Sequence, residues 1–195
     1  FAKMVLKTEG VNVSLEELQA IGRADLKRNQ EALAKACGIY APGATMQDCM
    51  NKMGANKAAD GPVAEARRQL PPLKQFLIDK DIVSIPGTEE AKVEESPPYN
   101  RQNSAYIDIP GPYEKGLPSV YYISPPDPTW DKATQDGFVP GKMDLLGTSV
   151  HEVWPGHFLN FLHANRSESI FGKLFVGYAF AEGWAHYTEE MMMDA

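Results

Sequence analysis

His151-Glu152-Val153-Trp154-Pro155-Gly156-His157 concentrates more chemistry than any other part of this chain, and Glu182 in Ala181-Glu182-Gly183-Trp184 is its complement. Two imidazoles, a carboxylate beside the first and a second carboxylate one helix pair downstream are the donor set of a glutamate-type zinc hydrolase. A catalytic zinc takes three protein ligands and keeps a fourth position for water. His151, His157 and Glu182 fill the three places, and one ion is expected. Glu152 stands next to the first ligand but points elsewhere. It is the candidate general base for a water whose pKa zinc lowers to roughly 7.

The spacing departs from H-E-x-x-H, which puts both histidines on one helix face at i and i+4. Here two more residues intervene, and at about 100° per residue a step of six turns His157 some 240° away from His151. A straight helix would aim the rings apart. Pro155 has no N–H for the His151 carbonyl and collides with it, while Gly156 accepts unusual dihedrals. The expectation is a helix that kinks or bulges in π fashion at this point and re-enters with His157 where an i+4 histidine would stand.

His-Glu-x-x-Pro-Gly-His followed by Glu-Gly-Trp-Ala resembles the bacterial domain-of-unknown-function family 885, whose members are mostly helical, often described as lipoproteins, and related to gluzincin peptidases. Segments similar to Val83-Ser84-Ile85-Pro86, Pro97-Pro98-Tyr99 and Ala105-Tyr106 precede the motif in that family. The resemblance therefore spans most of the chain, with its specific part after residue 150. Carried over residue by residue, it implies His151 and His157 as metal ligands, Glu182 as the third ligand and Glu152 as the base. It also implies a peptide substrate and a periplasmic or otherwise extracytoplasmic protein. Two departures stand out. Family members commonly carry His and Gln just after the second metal histidine, where this chain has Phe158 and Asn160, and an apolar residue after Glu-Gly-Trp-Ala, where it has His186. Both leave the metal set intact and bear on the contacts around it.

His186 lies at i+4 from Glu182 and Glu189 at i+7, so a continuous helix puts all three on a face that lines the site. Metal-bound imidazoles donate their other nitrogen to a carboxylate or carbonyl, which gives Glu189 a physical task; an exposed acidic helix face is the alternative. Tyr187 is a further candidate beside the site, and Tyr187 or Tyr178 is the available oxyanion donor, with more donors expected beyond residue 195. His163 reads as a helix-end histidine. A lone H-E pair arises by chance and a lone histidine on an apolar stripe is ordinarily a core residue, so it is the combination that is uncommon. Beginning at Phe1 and stopping inside a helical stretch, 178–193, the chain reads as a fragment of a single larger helical metallohydrolase domain.

Three zones follow from composition and periodicity. Ser14-Leu15-Glu16-Glu17 is a capping box, and Leu15, Leu18, Ile21, Leu26 and Leu33 keep a helical spacing up to Gly38. Thr45 to Asp48 repeats the capping signal before a Met-rich helix ended by Gly54. Pro62 or Pro72 then opens a helix with Leu70, Leu73, Phe76 and Leu77 facing the core. Residues 1–80 are thus expected as a helical scaffold. From 82 to 128 prolines and glycines cluster and β-prone runs appear at 82–85, 91–94, 105–109 and 120–123, which predicts a small sheet or a pair of hairpins. An edge strand beside a metal can pair with an extended peptide, and Ala105, Tyr106 and Ile107 are the candidate edge; a purely structural sheet is the alternative. Residues 143–195 supply the metal-site helices, two antiparallel neighbours whose approach is eased by Gly177, Ala179, Ala181, Gly183 and Ala185. The fold class is mainly α with a small β-sheet (α+β), with zincin-like metal-site helices and an N-terminal helical layer.

Cys37 and Cys49, the only cysteines, flank a turn-rich segment between two expected helices, which suits a disulfide across a helical hairpin in an extracytoplasmic protein. Equally, Met46, Cys49, Met50 and Met53 form an i, i+3, i+4, i+7 stripe in which Cys49 is a small core residue. With 195 residues, 43% of them hydrophobic, the chain can bury a sizeable core and is not disordered. A net charge of −7 without a basic cluster argues against a nucleic-acid partner. No apolar run approaches the ~20 residues of a transmembrane helix. Gly147-Thr148-Ser149 lacks the frame of a nucleophile elbow, and no Gly-rich phosphate loop is present. Two functions remain: a zinc metallopeptidase in which Glu152 moves a proton from water to the leaving amine, and a non-catalytic binding or scaffold protein that keeps the fold with a metal as brace. They part at Glu152, which the brace does not need.

Overall fold

Residues 1–55 form one unit of the computed structural model, which describes residues 1–195, and residues 56–195 form a second. The first unit holds α1 (Ala2–Glu9), α2 (Leu15–Tyr40) and α3 (Met46–Ala55). Ser14 starts α2 as expected, its hydroxyl accepting the Glu17 N–H at 3.1 Å. Thr45 does the same for α3, accepting the Asp48 N–H at 3.1 Å. The apolar stripe of α2 stays exposed at Leu15, Ile21, Leu26 and Leu33. What is buried in this unit is Cys37, Ala41 and Cys49. The two cysteines are joined as a disulfide, with Cα atoms 5.8 Å apart.

The second unit is built on α4 (Pro62–Lys80), a three-stranded sheet and the helices of the C-terminal zone. Of the two prolines that could open α4, Pro62 does so, and its missing N–H costs nothing at the first helical position. Pro71 and Pro72 are accommodated inside the helix on its exposed side. Ala66, Leu70, Leu73 and Leu77 recur at helical spacing and are buried; Phe76, expected beside them, is half-buried at the edge of that face.

The strands are β1 (Lys92–Glu95), β2 (Ala105–Asp108) and β3 (Val120–Ile123), in the order β1-β3-β2. β1 runs parallel to β3, with Lys92 opposite Val120, and β2 runs antiparallel to it, with Ile107 opposite Tyr121. Central β3 buries Tyr121 and Ile123 in the core that the α4 residues share, and the Arg67 guanidinium ties α4 to β1 by donating to the Val93 carbonyl at 2.7 and 3.0 Å. The β-prone run 82–85 is not a strand. Ile82, Val83 and Ile85 pack on the core as an irregular segment, and the Ser84 carbonyl is taken by the His163 ring at 3.0 Å rather than by a neighbouring strand.

After α5 (Lys132–Phe138), capped by Asp131, come α6 (Lys142–Glu152), α7 (His157–Ala164), the short α8 (Ile170–Leu174) and α9 (Tyr178–Asp194). Helix α6 packs on α4 and α9, and α7 packs on α9. Ser149 of α6 donates to Gln69 of α4 at 3.2 Å, and Gln69 donates in turn to the Lys142 carbonyl at 2.9 Å. Leu145, Val150, Val153, Trp154, Phe158, Leu159 and Leu162 complete the core. The chain is therefore mainly α with one small sheet, and no helix is long and apolar enough to cross a membrane. The segment 1–80 is divided between the two units: α4 packs with the sheet and α6.

Candidate metal centre

Pro155 and Gly156 set the local geometry. Pro155 cannot donate to the His151 carbonyl. The turn widens instead: the Trp154 N–H reaches the Ser149 carbonyl at 3.2 Å and the Gly156 N–H reaches the Val150 carbonyl at 3.0 Å. These are i−5 and i−6 bonds, so the expected π-type turn is present but the helix does not re-enter. It breaks after Glu152, passes through a cis Trp154–Pro155 peptide and restarts with His157 as the first residue of α7. Only glycine fits at 156, since a Cβ there would fall on the His151 carbonyl. This corrects the expectation of one bulged helix. Two axes replace one, which frees His157 from the angle a continuous helix would impose. Trp154 and Phe158 hold the break from inside, their buried rings 5.0 Å apart, and Trp184 of α9 holds it from the other side by donating to the Pro155 carbonyl at 2.9 Å.

The result brings His151 and His157 together, ring centroids 4.8 Å apart and nearly perpendicular. Glu182 joins them from α9, whose Ala181, Ala185 and Thr188 form the buried face that lets it lie close to α6 and α7. Oε2 of Glu182 is 3.6 Å from His151 Nε2 and 3.7 Å from His157 Nε2. Two donors at ~2.0–2.1 Å from one tetrahedral zinc stand about 3.3 Å apart, so a few tenths of an ångström separate this arrangement from a ligand set. The donor types fit zinc as well as the spacing does.

Behind the three candidate donors, His151 Nδ1 faces Glu189 Oε1 at 2.7 Å. With the proton on Nδ1 donated to Glu189, the Nε2 lone pair is left for the centre. Hydrogen bonding to Glu189 raises the His151 pKa above its ordinary value, against the opposing effect of burial. Burial works to raise the Glu189 carboxyl, yet the bond to His151 and the charges of both neighbouring histidines hold it below the usual range. Burial lowers the pKa of His157, and the charge of His151 adds to that. His186 flanks the set without joining it, exposed, its Nδ1 3.2 Å from Glu189 Oε1.

Glu152 is buried, and burial pushes its carboxyl up to about 7; the charge of His151 opposes, Glu182 adds, and a backbone hydrogen bond from Ile107 opposes. That bond connects the site to the sheet. Ser124 N–H donates to the Ser104 carbonyl at 2.8 Å, so the alternation of an antiparallel ladder turns Tyr106 and Asp108 toward β3 and leaves the backbone of Ala105 and Ile107 on the free edge. Ala105, Tyr106 and Ile107 line one wall of a cleft of about 450 Å³ whose other wall carries His151, Glu152, His157 and Glu182.

Tyr178, highly exposed at the start of α9, lines the same cleft. Tyr187 does not: its ring lies on Trp184, and it borders a separate recess with Ile82 and Glu190. Asp108, in the same run as the candidate edge, lines the cleft too, and Asn103 and Phe161 line it without having been singled out for the site from sequence. Phe161 had a readable signal, standing at i+4 from His157 on the same helix face. His163 is at the far end of α7, bonded to Ser84, and takes no part.

The family model described as bacterial protein of unknown function, DUF885, matches residues 1–195. No curated protein matches the chain. Among solved structures, a candidate lipoprotein of unknown function from Shewanella oneidensis is 25% identical, with a TM-score of 0.80 over 100% of this chain and 37% of its own. A candidate lipoprotein from Colwellia psychrerythraea shares the fold at 16% identity, with a TM-score of 0.66 over 97% of this chain and 33% of its own. The chain spans about a third of the length of these neighbours.

Proposed function

The chain belongs to the bacterial family of unknown function DUF885, and from that premise we propose that it carries the centre of a zinc-dependent hydrolase acting on peptides. The observation that carries this reading is the convergence of two imidazole Nε2 atoms on one oxygen of Glu182, at 3.6 and 3.7 Å, with the buried carboxyl of Glu152 beside them. His151, His157 and Glu182 would hold the ion. When bound, zinc supplies Lewis acidity and a water of pKa about 7.

The chain's own residues supply the rest. Glu152 accepts a proton from the attacking water and returns it to the leaving nitrogen. Glu189 fixes the His151 ring by accepting its Nδ1–H. The backbone of Ala105 and the Ile107 carbonyl, on the strand edge turned away from β3, take an extended peptide as an added strand along the cleft. The Tyr178 hydroxyl, on the rim of the same cleft, is the donor for the oxyanion that develops as water adds to the carbonyl. Metal content and peptide hydrolysis of the full chain, beside Glu152→Gln, test the reading. About one zinc per chain is expected in both, with hydrolysis reduced about 10²–10⁴-fold in the variant. No bound zinc, or hydrolysis that survives the substitution, overturns it.

A second reading is a non-catalytic binding protein of lipoprotein type in which the metal is a brace. It is supported by the description of both structural neighbours as candidate lipoproteins. In that protein Glu152→Gln changes nothing. Both readings put the chain outside the cytoplasm, in keeping with the Cys37–Cys49 disulfide.

A further inference from the structure

Glu189 serves two histidines. Its Oε1 stands 2.7 Å from His151 Nδ1 and 3.2 Å from His186 Nδ1, and the three atoms lie within 4.8 Å of one another. His151 is committed through Nε2 to the ligand set with His157 and Glu182, and its Nδ1–H to Glu189. His186 is engaged only through Nδ1, with the same Glu189 oxygen. Its side chain is 71% exposed, its ring is 4.9 Å from that of His151, and a cation arriving from solvent reaches it directly.

The spacing of His186 Nδ1 and Glu189 Oε1 is that of two ligands on one ion, about 3.3 Å for zinc. They stand at i and i+3 on α9, so the helix backbone keeps the pair together. Imidazole with carboxylate is donor chemistry for zinc, copper or nickel and not for calcium or magnesium, which prefer oxygen alone.

We infer that His186 and Glu189 form a second, weaker site for a borderline divalent cation, and that filling it draws Glu189 away from His151. The inference rests on the reading of His151, His157 and Glu182 as the first centre. With two protein ligands in place of three, the second zinc binds more weakly than the first. Removing the outer partner of a ligating histidine typically costs about 10–100-fold in metal affinity or activity. Zinc in excess therefore opposes its own effect. Hydrolysis climbs to about one zinc per chain and declines beyond it, and the first ion exchanges faster as the second site fills.

Equilibrium dialysis of the full chain from nanomolar to millimolar free zinc, beside His186→Ala, tests this. Two classes of bound zinc are expected in the unsubstituted protein and the tight class alone in the variant, with exchange of isotopically labelled tight zinc accelerated about tenfold by excess zinc in the former only. A weak class that survives His186→Ala, or a stoichiometry that stays at one throughout, overturns the inference. Absence of the tight class from both proteins instead brings down the first centre, and the dependence of any weak class on His186 then still decides the second site.

Discussion

Helices α2 and α4 carry comparable apolar spacing, and the two units put it to different use. In α4 the stripe Ala66, Leu70, Leu73 and Leu77 disappears into a core shared with the sheet and α6. In α2 the stripe Leu15, Ile21, Leu26 and Leu33 remains exposed, and the burial of the first unit centres on a disulfide. Periodicity specifies a helix in both places. Burial needs a partner surface as well, and the second unit has one in the sheet and α6 while the first substitutes a covalent link.

Truncating one residue of each stripe is expected to have the most unequal effects. Leu77→Ala removes a side chain with no exposed surface and is expected to destabilise the second unit by about 2–5 kcal/mol, through lost burial and the cavity left behind. Ile21→Ala, on the exposed stripe, should change stability by less than about 0.5 kcal/mol. Urea unfolding of the two variants decides the matter, and an Ile21→Ala cost near that of Leu77→Ala would mean that the α2 stripe has a partner in solution.

The next effect lies on the other side of the comparison. The Cys37–Cys49 link closes a sequence separation of 12 residues, and a loop of that length restrains the unfolded chain by about 3 kcal/mol. Cys49→Ala is therefore expected to lower the melting temperature of the first unit, as calorimetry of the two proteins measures. An unchanged melting temperature would mean that the apolar residues of the first unit, not the link, hold it together.

The fold class and the residues of the candidate centre are both legible in the sequence; the local backbone between them is not. His151, Glu152 and His157 lie within seven residues of sequence, so their chemistry is apparent without a fold, and the small residues Gly177, Ala179, Ala181, Gly183 and Ala185 around Glu182 point to close helix approach. Whether the helix bulges or breaks was not legible. The outcome depends on Trp184 reaching the Pro155 carbonyl and on the burial of Trp154 against Phe158, both tertiary contacts. The misread run at 82–85 has the same origin. β-branched residues signal burial there, but the Ser84 carbonyl finds a histidine side chain 79 residues away instead of a strand. Tyr187 illustrates a third limit: it follows His186 directly, yet one step along a helix turns it about 100° out of the cleft and onto Trp184.

The smallest effect concerns how each principal helix begins. Helix α2 starts on the neutral Ser14 hydroxyl, and Ser14→Ala should cost about 1 kcal/mol regardless of pH. Helix α4 starts on Gly61 with no side-chain cap bond, and the preceding turn is clasped by Arg68, whose guanidinium meets Asp60 at 2.6 and 2.8 Å and Glu65 at 2.6 Å. Hydrogen bonding to Arg68 lowers the Asp60 carboxyl from 3.8 to about 2. A depressed carboxylate stabilises the folded state fully above its unfolded pKa and loses that contribution as pH falls through the folded one. The contribution of this clasp is therefore present above about pH 4 and fades toward pH 2, and because both groups are solvent-exposed it is small. Denaturation of Asp60→Asn and the unsubstituted protein at pH 6 and pH 2 measures it: a difference at the higher pH that vanishes at the lower one assigns the start of α4 to charge, whereas a difference of equal size at both would assign it to hydrogen-bond geometry alone, as at Ser14.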